Sequence, residues 1–190
     1  MKTFLYLLSF ASIISIVACG GPGKKVKIMA SGKITVTGTT IALEPGTQHN
    51  EQELSVSGDK ITVTNGSAST DYPVTEPGIY ILNLKTDTLV GSYQKVGTES
   101  VSKTLTQEDL AKSIDSLQQL MAGANVSAAN RNYCIAPNKL AKITSNLNAD
   151  IIGPYLKMPS SFEGGKEYEI YKFSTNKEMA EVVEKLRKLQ

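Results

Sequence analysis

Apolar and polar positions alternate with a period of two through most of residues 26–95. Ile34 with Val36, Ile41 with Leu43, Leu54 with Val56, and Ile61 with Val63 each share a face, with Thr and Lys opposite, the pattern of half-buried strands. Gly78 to Leu84 is apolar on both faces, Ile79 and Ile81 against Tyr80, Leu82 and Leu84. That predicts a central strand, turning at Thr86-Asp87 to pair with Leu89 to Tyr93. Gly58-Asp59, between Leu54-Ser55-Val56 and Ile61-Thr62-Val63, and Asn65-Gly66 predict hairpins, because these residues tolerate positive φ in tight turns. Lys-Ile-Thr-Val-Thr occurs at 33–37 and again at 60–64. Two copies of a five-residue β pattern arise from the needs of a strand and do not establish a repeat.

After a polar link from Gly97 to Lys103 the period becomes helical. Thr106 and Asp109 resemble a capping box, and Leu110, Ile114, Leu117, Leu120 and Met121 follow at spacings of three and four until Gly123. The pattern then predicts a strand at Tyr133 to Ala136, a helical turn from Pro137 to Ile143 and a strand near Asp150 to Ile152. Gly153-Pro154, Pro159 and Gly164-Gly165 punctuate the loops. Glu167 to Phe173 reads as a strand. Thr175 with Glu178 caps a terminal amphipathic helix with Met179, Val182, Val183, Leu186 and Leu189 in one stripe. Its Lys185, Arg187 and Lys188 suit the negative end of the helix dipole. The expected fold class is therefore α+β: an N-terminal antiparallel β-rich region, 26–104, followed by a smaller mixed α/β region, 105–190, ending in that helix.

The first residues carry a different signal. Met1-Lys2 precedes an apolar run from Phe4 to Ala18 without a charged residue, the form of a signal peptide spanning 1–18. The run ends at Cys19-Gly20-Gly21-Pro22-Gly23, short of the roughly 20 apolar residues that a permanent membrane helix requires. Ile16-Val17-Ala18-Cys19 resembles the lipobox of bacterial lipoproteins. The resemblance covers only the leader, and it implies diacylglycerol transfer to the Cys19 thiol, cleavage after Ala18 and, usually, acylation of the new amino group. Each buried methylene contributes about 0.8 kcal/mol, so two or three chains on Cys19 would hold the protein at a membrane. Residues 19–25 then form a lipidated tether, with Lys24, Lys25 and Lys27 placed to attract anionic headgroups. Residue 20 is Gly rather than Asp, which by the same resemblance implies an outer-membrane position facing the periplasm in a two-membrane host.

Losing Lys2 with the leader lowers the formal net charge from +2 to +1, so neither nucleic acid nor an acidic partner is implied. Lipidation of Cys19 would leave Cys134 without an intramolecular partner, and a packed, inert thiol is the usual state of such a residue. The single histidine, His49, lies in Pro45–Glu51, a loop by composition. His49, Glu51 and Glu53 come nearest to a metal-binding set, and the two glutamates equally suit the solvent face of the strand carrying Leu54 and Val56. A Cys134–His49 dyad lacks an orienting third group. Phosphate-binding glycine loops are absent, tyrosines are spread over both halves, and tryptophan is missing, so neither cofactors nor stacking platforms are suggested.

These observations favour a non-enzymatic envelope lipoprotein that binds a partner protein or supports an envelope assembly, its membrane contact made through Cys19. Two other readings stand beside it: a carrier or sensor of a small apolar ligand in the β-rich region, and a hydrolase using Cys134.

Overall fold

A computed structural model describes residues 23–95, 106–159 and 168–189. The leader, Cys19, the Gly97–Lys103 link and Gly164-Gly165 lie outside the described residues. Among the described residues ten strands and two helices follow in order: β1 (Lys24–Thr37), β2 (Thr40–Ser55), β3 (Lys60–Asn65), β4 (Ala68–Pro73), β5 (Gly78–Leu84), β6 (Leu89–Gln94), α1 (Gln107–Met121), β7 (Asn132–Ile135), β8 (Lys139–Thr144), β9 (Asp150–Ile152), β10 (Ile170–Thr175) and α2 (Asn176–Arg187).

The first sheet has the order β4-β3-β2-β1-β5-β8 and curls into a nearly closed barrel. The second has the order β7-β6-β10-β9. Strands from either side of residue 104 share both sheets. Strands hold 50% of the described residues and helices 18%, which corrects the expected α+β class: the fold is mostly β. The helical turn expected over Pro137 to Ile143 is instead β8, which pairs antiparallel with β5. Pro45–Glu51, expected to be a loop, lies inside β2 because β1 pairs with Pro45 and with His49 to Glu51, and long-range pairing overrides local turn composition.

Three residues of β2, Gly46 to Gln48, are looped out between the Gly32–Pro45 and Ser31–His49 pairs. Only glycine fits opposite this bulge: Gly32 has φ +117°, and a Cβ there would stand 2.1 Å from the Glu44 carbonyl oxygen. The Gly58-Asp59 turn does not make a hairpin of its flanking strands, since β3 crosses over and runs parallel to the start of β2. Asn65-Gly66 does lead into one, between β3 and β4, with Gly66 at φ +58°.

β5 is buried at every residue, as its two apolar faces require. Tyr80, Leu82 and Leu84 join Val26, Ile28, Ile41 and Ile61 inside the curled sheet. Ile79 and Ile81 join Met29, Leu89, Tyr133, Ile135, Tyr171 and Phe173 between the two sheets. Each such side chain, once buried, contributes roughly 1.5–3 kcal/mol. β5 does not fold back on β6; the chain crosses to the second sheet. Buried Asn83 fixes that corner, donating to the Asp87 and Ile135 carbonyls at 3.0 and 2.8 Å and accepting from the Lys85 amide at 3.0 Å.

By alternation, Val90, Cys134 and Ile170 face away from this middle layer, where α1 and α2 pack on each other and on β6, β7 and β10. Both helices begin with the expected capping boxes, Thr106 with Asp109 and Thr175 with Glu178. Of the terminal helix's apolar stripe, Val183 is buried while Val182 and Leu189 remain exposed.

Candidate functional site

His49 and Glu51 are brought together, and Glu53 is not. His49 Nδ1 lies 3.0 Å from Lys85 Nζ, and its Nε2 lies 2.9 Å from Glu51 Oε1. An ammonium can only donate, so Nδ1 accepts and Nε2–H donates to Glu51. The other Glu51 oxygen stands 2.9 Å from Lys27 Nζ, whereas Glu53 pairs with Lys25 at 3.3 Å. Among the described residues no group of three or more His, Cys, Asp or Glu is arranged to hold a metal ion.

Lysines organise this cluster. Lys27 donates to the Ile151 carbonyl at 2.6 Å, and Lys172 donates to the Gly153 and Phe173 carbonyls at 2.6 and 2.8 Å. Lys85 is buried under the Tyr155 ring, 5.6 Å from its centroid. Burial lowers the pKa of Lys85 and of Lys172 although Glu51 and Glu178 both oppose the shift. The arrangement pins β9 and the Gly153–Tyr155 loop against β1, β2 and β10. With these groups already bonded to protein partners, the cluster is an internal brace.

Lys24 and Lys25, expected in the tether, are the first residues of β1, and Lys24 pairs with Asp59 at 2.7 Å. All three lysines considered for headgroup attraction are therefore engaged by carboxylates.

Cys134 stands on the helix side of β7, where a Cβ at Gly123 would lie 3.8 Å from its Sγ. Burial raises its thiol pKa, and less thiolate means a weaker nucleophile. His49 belongs to the first sheet and Cys134 to the outer face of the second, so the fold does not assemble them into a dyad.

A site that the sequence reading missed lies between β7, β8 and the start of β10. A pocket of about 400 Å³ is lined by Ala128, Arg131, Tyr133, Lys142–Ser145, Glu169 and Tyr171, a volume within the range of small-ligand sites. Arg131 has φ +53°, a conformation that costs a non-glycine residue about 1–3 kcal/mol. It is held there from both sides, its amide donating to the Ala128 carbonyl at 3.2 Å and its carbonyl accepting from the Tyr93 amide at 3.0 Å. The guanidinium lies over the Tyr93 ring, 4.6 Å from its centroid, and among the described residues no carboxylate is in ion-pair range of it.

Glu169 supplies the opposite charge. Burial alone would raise its pKa, but donation from Asn146, Thr144 and Tyr171, with the Arg131 charge nearby, prevails and holds the carboxyl below its ordinary value. The three bonds measure 2.8, 2.7 and 2.7 Å. Burial, reinforced by Glu169, pushes the Tyr171 hydroxyl far up, so it remains a donor. The Tyr133 hydroxyl is likewise committed, to the Ile143 carbonyl. Tyr93 and Tyr133 each meet Tyr171 edge to face at 5.8 Å. Three tyrosines that look scattered along the chain thus form one cluster, and Arg131 carried no local signal beyond its asparagine neighbours.

Comparison with protein-family models, with curated proteins and with solved structures found no match. No helix among the described residues is long and apolar enough to cross a membrane.

Proposed function

We propose that the chain is a lipid-anchored, non-enzymatic binding module of a bacterial envelope, tethered through Cys19 and holding a small charged ligand in the Arg131–Glu169 pocket. The observation that carries the binding role is an arginine stacked on Tyr93, unpaired with any described carboxylate, lining a cavity of about 400 Å³. A guanidinium so placed is pre-organised, and recognition of an anion costs it little further ordering. Support for the anchor is the Ile16-Val17-Ala18-Cys19 resemblance. The pocket fits this reading better than carriage of an apolar molecule, because the interior of the curled sheet is occupied by fully buried Val26, Ile28, Ile41, Ile61 and Leu82.

Two measurements on protein extracted from envelopes test the proposal. Clickable palmitate should label the wild type and not Cys19→Ala. Native mass spectrometry should show a small-molecule adduct on the wild type that Arg131→Gln loses. Equal labelling of wild type and Cys19→Ala would end the anchor, and identical adduct spectra would end the binding role.

A further inference from the structure

The pocket lies at the end of the barrel where β1 begins. β1 and β5 run parallel from Lys24 and Gly78, and Ile79 pairs with Thr144 of the pocket wall. A Cβ at Gly23 would stand 3.0 Å from the Leu147 side chain, and one at Gly78 would stand 2.3 Å from the Thr144 carbonyl oxygen. Four residue steps separate Cys19 from Gly23, at most about 14 Å of chain. β8 lies two strand spacings from β1, about 10 Å. A bilayer holding the acyl chains of Cys19 is therefore near the lining residues Lys142 to Ser145.

The pocket carries two opposite charges that do not pair with each other. Arg131 presents a fork suited to phosphate or carboxylate. Glu169 is held in its ionised form, and its Oε2 accepts from Asn146 while Thr144 and Tyr171 donate to Oε1, leaving acceptor capacity on Oε2 for an ammonium. Tyr133 and Tyr171 line the space between them, and aromatic rings favour ammonium groups. Lys142 adds positive charge at the rim, tempered by its 2.6 Å pair with Glu76. A simple anion would set a second negative charge near Glu169, and a simple amine would face Arg131. One ligand carrying both charges satisfies both walls.

From this we infer that the pocket binds a zwitterionic phospholipid headgroup of the phosphoethanolamine type, phosphate on Arg131 and ammonium on Glu169. The inference rests on the anchored reading for the source of the lipid, while the ligand chemistry rests on the pocket alone.

The test is calorimetric titration of the full-length protein in a maltoside detergent with glycerophosphoethanolamine, glycerophosphate, inorganic phosphate and ethanolamine. Glycerophosphoethanolamine should bind at least about tenfold more tightly than any of the other three. Arg131→Gln should weaken it by a similar factor, and Glu169→Gln should bring it level with glycerophosphate. Glycerophosphate binding as well as glycerophosphoethanolamine to the wild type would overturn the zwitterion assignment, as would no binding of either. The ligand series on the wild type decides this even where a variant does not fold. Acyl-free native protein would overturn the membrane source of the headgroup; a palmitoylated wild type indifferent to all four compounds would overturn the pocket assignment and leave the anchor standing.

Discussion

Gly91 offers a sharp test of how the layer beneath the pocket is packed. It pairs across the sheet with Phe173, and a Cβ there would lie 2.4, 2.6 and 2.7 Å from three atoms of the Phe173 ring. The ring has no retreat, being fully buried in the cluster with Met29, Leu89, Tyr133 and Tyr171. Overpacking of this kind costs about 1–3 kcal/mol. Replacing a glycine within a strand recovers roughly 0.5–1 kcal/mol through the unfolded state. Gly91→Ala should therefore destabilise by about 1–2 kcal/mol net. Urea unfolding followed by far-ultraviolet circular dichroism suits a chain without tryptophan. Phe173→Leu supplies the partner for a double-mutant cycle, since a smaller, flexible side chain makes room for the new methyl. Coupling of about 1 kcal/mol, with the double variant losing less than the sum of the singles, is the expected result. Strict additivity, or a Gly91→Ala protein as stable as the wild type, would refute the reasoning.

Other outcomes follow from the two polar clusters. The Glu169 carboxyl titrates below its ordinary value in the folded chain, so its contribution to stability is present above the unfolded pKa and is lost as pH falls through the folded one. The stability gap between wild type and Glu169→Gln should accordingly shrink as pH falls below the ordinary glutamate value of 4.5; a gap that stays constant on acidification would contradict the assigned bonds. Gly153→Ala would place a Cβ 1.6 Å from Glu51 Oε1, a carboxylate already held by His49 and Lys27. A loss of about 1–3 kcal/mol is expected, read from the thermal midpoint, and an unchanged midpoint would show that the brace yields freely.

Legibility in the sequence divides along physical lines. β5, the two capping boxes and the Asn65-Gly66 hairpin are written in neighbouring residues, because apolar periodicity, cap chemistry and positive φ are local properties. The path of β2 is not, since Pro45 and His49 look like a loop until β1 pairs with them. Nor is the crossover that sets β3 beside the start of β2, for alternation states which face of a strand is buried and not which neighbour it takes. The pocket was hidden for a related reason. Arg131, Thr144 and Glu169 come from three separated segments, and each is an ordinary polar residue in its own surroundings. The sequence did direct attention to His49 and Glu51, and these do meet, but Lys27 and Lys85 turn the pair into a brace.

The position of β1 would give a tether at Cys19 a mechanical consequence. A pull on a lipid fixed at Cys19 would enter the body at Lys24, along the axis of a strand paired with β2 over nearly all its length and with β5 from Lys24 to Ala30. To come away, β1 would have to slide past both neighbours, so that its cross-strand bonds share the load instead of parting one after another. An attachment at Cys19, as proposed, would thus load the molecule in shear along β1.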